Sequence, residues 1–389
     1  LRRQVEWPRG IVAISISYAA FLLVSIISLL VAVDLAAALK EIAKWLQIGL
    51  VAVMIALPGR DYSGDKVVKW IAAALIVSAL VQSAVGIWQF GIRGDGPEHF
   101  SILGQYFRAY GTFEQPNPYA GFLGLVLPLI IGLGIGTVAS WTSRKHHISI
   151  IFLVVLVIAA LVVSCAVRMS WSRGAWLGLA VAFTVMLLFL PRKKVVGLVI
   201  LSLVILMGII AINSGLMPAS IEQRMLGFTE YFQFEDVRGA HITPDRFAVL
   251  ERMAHWQAAL SMANESPWIG VGTGNYAAAY PDHALMQWPY ALGHAHNLYL
   301  NLLAETGVLG LISYLGFWAV ALVLIMRLIS TSEGVPRGIA LGLLGAVTHL
   351  SVHNLVDKLY VNNVYLHIGS LIGILVVLIS SSRSNVAHN

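Results

Sequence analysis

Charge is scarce in this chain. Only 11% of its 389 residues are charged, 58% are hydrophobic, and the mean hydropathy is +0.80. Soluble domains usually carry about twice that charged fraction. The composition therefore points away from a water-soluble globule, a disordered chain or a coiled coil, and towards a polytopic membrane protein. Cysteine is nearly missing: Cys165 stands alone inside an apolar run. No disulfide framework within the chain and no cysteine-based metal site follow from one thiol. Acidic residues number 19. No paired outer aspartates mark a divalent-metal site for sugar nucleotides. The glycine-rich stretch Gly270-Val271-Gly272-Thr273-Gly274 lacks the Lys-Ser or Lys-Thr of a phosphate-binding loop, so no nucleotide is expected. The formal net charge of +6 reads as lysine and arginine at cytoplasmic loops, not as a nucleic-acid surface. No cleavable signal peptide is visible, and because the chain starts at Leu1 a preceding segment, with further spans, is expected.

What the chain has is long apolar runs. Ten can cross a bilayer as helices: Ile11–Val33, Ile42–Leu57, Val67–Phe90, Tyr119–Ser140, Ile148–Val167, Ala175–Leu190, Val195–Ile212, Leu298–Met326, Gly338–Val356 and Val364–Ser380. The second is short, and its helix is expected to begin near Asp34. With Leu1 in the cytoplasm, Arg2, Arg3, Arg9, Arg60, Lys66, Lys69, Arg144, Lys145, Arg192, Lys193, Lys194, Arg327, Arg337 and Arg383 share that side. The short outer connections hold only Lys40, Lys44, Arg168, Arg173 and Lys358, the asymmetry the positive-inside rule expects. The division is a seven-span bundle over 1–212, a large outer loop or helical cap over 213–297, and three spans over 298–389. Within the cap, Phe247–Ala263 reads as the main helix, ended by Asn264 and Pro267.

Beyond those short connections the outer loops hold no lysine. Their cations are Arg93, Arg108, Arg224, Arg238, Arg246 and Arg252. Guanidinium is the better fork for phosphate oxygens and keeps its charge in a half-dry site; plain loop solvation is the alternative. Arg252 and Trp256 lie one turn apart on one helix face, where stacking can pre-order the cation or the arginine can simply snorkel. Arg173 sits in a tight outer connection, Ser170-Trp171-Ser172-Arg173-Gly174, where an arginine at membrane depth is a functional candidate. Arg108 introduces Tyr110-Gly111-Thr112-Phe113 and Gln115-Pro116-Asn117-Pro118 at the mouth of a span. Gly293-His294-Ala295-His296-Asn297 precedes a long apolar helix. An imidazole there can take a proton from a hydroxyl, or it can merely cap and anchor the helix. Two histidines could also ligate a metal, but the sequence supplies no third ligand in an HExxH or cysteine pattern, so no metal or other cofactor is expected. His353 and Asp357, one turn apart in the ninth span, could form a proton pair or stabilise helix packing.

Taken in order, these pieces resemble the bacterial O-antigen ligase and polymerase superfamily of integral membrane glycosyltransferases. Arg108 with Gly111-Thr112-Phe113 and Pro116-Asn117-Pro118 is similar to its early outer motif, and Ser172-Arg173-Gly174 to the next. Arg252 with Trp256, then Ser266-Pro267-Trp268-Ile269-Gly270-Val271-Gly272, resembles the start of its large periplasmic loop. His296-Asn297-Leu298-Tyr299-Leu300 with Glu305-Thr306-Gly307-Val308-Leu309-Gly310 resembles its hallmark. The resemblance implies an all-α, GT-C-like inner-membrane enzyme of about twelve helices whose site faces the periplasm. It implies an undecaprenyl diphosphate-linked glycan donor and, in the ligase branch, a lipid A-core acceptor. His296 is then the general base. Arg252, Arg173 and Arg108 hold the diphosphate, and His294 and Asn297 are secondary candidates. Neither metal, nucleotide nor nucleic acid is implied. The polymerase branch, an O-linked protein oligosaccharyltransferase of the same superfamily, and a small-anion transporter are the rival readings.

Overall fold

The computed structural model describes residues 8–61, 64–102, 104, 106–142, 150–214, 235–243 and 246–384. Arg2, Arg3, Arg144, Lys145 and Arg224, used above as orientation or loop cations, lie outside the described residues. Among the described residues there are twelve α-helices: α1 Arg9–Ile27, α2 Leu35–Asp61, α3 Gly64–Trp88, α4 Pro116–Thr142, α5 Ile150–Met169, α6 Arg173–Phe189, α7 Lys194–Asn213, α8 Phe247–Glu265, α9 Tyr276–His283, α10 Leu298–Thr331, α11 Gly334–His353 and α12 Val364–Ser384. Eight are long and apolar enough to cross a membrane, and α6 and α7 supply two shorter apolar helices. The protein is an all-α polytopic membrane protein. Its described strands, β1 Ser101–Ile102 and β2 Tyr106–Phe107, form one small antiparallel hairpin ahead of α4.

α11 is the axis of the bundle, and glycine explains why. Gly132 and Gly136 on α4 face Gly334, Gly338 and Gly342 on α11. A Cβ at Gly132 would lie 2.3 Å from the Gly338 carbonyl oxygen. Small residues at such spacing let two backbones approach closely, which is how helices associate where lipid is as apolar as leucine. On its other side α11 meets α6, where a Cβ at Gly174 would lie 2.5 Å from His353. These antiparallel contacts bring the starts of α4 and α6 to the C-terminal end of α11.

The helix bounds correct two expectations. α2 begins at Leu35, as expected beside Asp34, whose carboxylate caps it by accepting from the amides of Ala36 and Ala37. Lys40 and Lys44 therefore belong to that helix and not to a connection, and Lys44 pairs with Glu41, which also lies 3.5 Å from Lys358. The ninth span ends early. α11 stops at His353, and Asn354 ties the following turn through its side chain to the Leu359 amide. Asp357 is thus in a loop, not one helical turn from His353.

The long helix α10 is two pieces. Gly307 has φ 64° and ψ −167°, a conformation that a side chain opposes. The break frees the carbonyls of Ala304 and Glu305 and the amides of Val308 and Leu309. The Ser266–Gly272 segment fills all four: Val271 and Gly272 donate to Ala304 and Glu305, while Val308 and Leu309 donate to Pro267 and Trp268. Buried backbone groups must be paired, so the two glycine-bearing motifs complete each other, and Gly270–Gly274 acts as a structural plug.

Candidate functional site

The site lies at the end of the bundle where α4, α6 and α10 begin and α11 ends. Asn297 caps α10, its side chain accepting from the Leu300 amide at 3.1 Å. The Asn301 side chain accepts from the Ala295 amide at 3.1 Å, pinning the preceding loop. His296 is held there at φ 50°, in the left-handed region that non-glycine residues enter sparingly. Its ring lies 4.4 Å from His294 and 5.9 Å from His255, centroid to centroid. Its Nδ1 is buried without a hydrogen-bond partner and stands 3.7 Å from an Asp357 oxygen.

Asp357 is the residue the sequence reading underrated. Its other oxygen accepts from the Asn117 amide at 2.6 Å, and Asn117 in turn accepts from Arg108 Nη2 at 2.9 Å. Arg108 Nε donates to the Ser170 carbonyl at 2.8 Å. A continuous polar line therefore runs from Ser170 and Arg108 through Asn117 and Asp357 to His296. Burial alone would raise the Asp357 carboxyl. The adjacent His296, His294 and Arg252 outweigh it and hold the group well below the ordinary carboxylate range. One sequence signal pointed to it: Asp357 is the only acidic residue after Glu333.

α8 supplies the rest. Arg252 is half-buried and close enough to influence both Asp357 and Glu251, whose carboxyl is raised by burial despite His296 and Arg252 nearby. His255 on the same helix is buried, contacts the Tyr276 hydroxyl at 2.9 Å, and is pushed down to about 4 by burial and then by His296. Burial likewise holds His294 well below the usual histidine value. Both neighbours of His296 are therefore neutral at pH 7.

Arg173 opens α6 behind the Ser172 cap. The next residue, Gly174, packs on His353 and Val356, which sets Arg173 beside the loop that carries Asp357. The structure thus gathers His294, His296, Asn297 and Arg252 directly, ties Arg108 in through Asn117, and places Arg173 alongside. Asn297 has a clear local task as a helix cap. His294, His296 and Asp357 also offer ligand atoms within 4.8 Å of one another. The third potential metal ligand, not evident as a motif, comes from a distant loop.

Residues 158–315 match the family model described as O-antigen ligase. The match spans under half of the chain and supports the resemblance to O-antigen ligases and polymerases that the motifs carry. The matched stretch runs from within α5 into α10 and contains Arg173, Arg252, His294, His296 and Asn297. Arg108, Asn117 and Asp357 fall outside it and reach the site by folding. No curated protein matches the chain. Similarity over this stretch supports ligase- or polymerase-type transfer at a membrane, with lipid-linked glycan and lipid acceptor substrates in general.

Proposed function

We propose that this protein is an O-antigen ligase of the bacterial inner membrane, transferring a glycan from undecaprenyl diphosphate to lipid A-core at the periplasmic face with inversion and without a metal. The observation that carries the reading is the His296 Nδ1 standing 3.7 Å from the buried Asp357 carboxylate, with Arg252 close enough to act on the same carboxylate. An ionised Asp357 beside Nδ1 favours the tautomer protonated there, leaving Nε2 as the base. The separation of 3.7 Å shortens as substrate binds, as catalytic contacts commonly do. An acceptor hydroxyl attacks the anomeric carbon while its proton passes to His296 Nε2. The bond from that carbon to the phosphate oxygen breaks, and its electron pair leaves with undecaprenyl diphosphate.

Arg252 and Arg173 face the leaving diphosphate, where each charge-assisted hydrogen bond contributes very roughly 1.5–3 kcal/mol. Arg108 belongs to the same diphosphate-binding group, and its bonds to Asn117 and Ser170 give it a second task of holding Asp357 in place. Because the leaving group is already activated, the reaction needs neither nucleotide nor Lewis acid. Turnover that persists through EDTA dialysis supports this. Loss on dialysis with recovery on adding zinc would convert His294, His296 and Asp357 into metal ligands.

The direct test uses purified protein and a lipid-linked donor. His296→Ala should lower turnover by about a hundredfold to ten-thousandfold while largely sparing donor binding. Arg252→Ala should weaken both. Near-normal turnover in the histidine variant would remove the base assignment.

A further inference from the structure

Opposite the histidine cluster, at the other end of the bundle, α3, α4, α5 and α11 enclose a groove of about 810 Å³ that the transfer reaction does not use. Its walls are apolar and include Ala73, Ile76, Leu133, Leu156 and Ile339. It runs along α3 from Lys66 to Leu80, about 21 Å at the helical rise of 1.5 Å per residue. The hydrocarbon of one leaflet is about 15 Å deep, so the groove accepts an acyl chain over its full length.

The mouth has a different chemistry. Lys66 and Lys69, three residues apart on one helix face, both line it and both are exposed. Among the described residues neither has an ion-pair partner, and Asp65 is the adjacent exposed acid. Trp70, 75% exposed, stands beside them, the placement of an interfacial aromatic. Just inside, Thr137 is 3% exposed and its hydroxyl has no hydrogen-bond partner in the protein. A paired cation at the lip, a lone hydroxyl below it and a deep apolar slot match, in that order, a phosphodiester, an ester level and acyl chains. Basic pockets between membrane helices recognise anionic headgroups in this way.

We propose that this groove holds one anionic diacyl phospholipid, its phosphate between Lys66 and Lys69. The site is independent of the transfer chemistry and does not rest on it. It is tested by native mass spectrometry of the full chain in detergent, titrated with phosphatidylglycerol or phosphatidylcholine of identical acyl chains. Each lysine near an anionic headgroup is worth about fivefold, so the wild type should retain phosphatidylglycerol with a preference of up to roughly thirtyfold. Lys66→Gln with Lys69→Gln should erase most of that preference while leaving weak binding of both lipids. Lys193→Gln with Lys194→Gln, exposed on the same end of the bundle but away from the groove, should leave it intact. Equal retention of the two lipids by the wild type would overturn the proposal. So would an unchanged preference in the Lys66 and Lys69 variant, or an equal loss in the Lys193 and Lys194 control, which would reduce the effect to surface charge.

Discussion

At the scale of single residues, the chain concentrates its unusual groups in one place. Two imidazoles and two acids surround His296, and burial neutralises His255 and His294 but not Asp357. Two outcomes follow. Asp357→Asn keeps the shape but removes the carboxylate charge beside His296 Nδ1. Turnover should fall by at least about tenfold, and Asp357→Glu, which keeps the charge, should recover part of it. A purely structural residue would show no such rescue. The second concerns stability. His255 binds its proton at about pH 4 when folded, against an ordinary value of 6.5. The unfolded chain therefore holds more protons between those values, and stability rises with pH across that window. Thermal unfolding midpoints should drop as the pH falls from 6.5 to 4, and the slope should flatten in His255→Gln.

At the scale of elements, the break in α10 decides how the outer motif is built. The positive-φ Gly307 lets the Ser266–Gly272 segment enter and satisfy the opened backbone, and Glu305 accepts from the Tyr276 amide at 3.3 Å. Gly307→Ala places a Cβ about where Trp268 has its carbonyl carbon, 2.2 Å away. The conformation alone costs about 1–3 kcal/mol, and the clash adds to it. The variant should show a lowered unfolding temperature in detergent and new proteolytic cleavage near Ser266–Gly272. A wild-type melting curve and digest would show that the interlock is dispensable.

At the scale of the whole molecule, the crossing of α4 over α11 matters most. It joins Asn117 to Asp357, residues 240 positions apart, and so couples the first outer motif to the last loop. Function at this scale is read in the cell. Lipopolysaccharide from a deletion strain should run as bare core while polymer accumulates on the carrier lipid. Core bearing a single repeat would assign the chain to the polymerase branch. An unchanged gel would favour protein glycosylation or transport.

The span pattern was legible from hydropathy because twenty-odd apolar residues have few places to go but a bilayer. The local motifs around Arg108, Arg173, Arg252 and His296 were legible because their residue types carry their chemistry wherever they stand. Three things were not. Asp357 looked like a member of a helix because nothing local says that Asn354 ends it. Gly307 looked like one more apolar-helix glycine because its φ is set by a segment about 40 positions earlier. The groove beneath Lys66 and Lys69 exists only as a gap between four helices. Composition and periodicity act along the chain and fixed the helices and their chemical endowment; partnership depends on which backbones can touch, and the glycine faces of α4, α6 and α11 settled that in three dimensions.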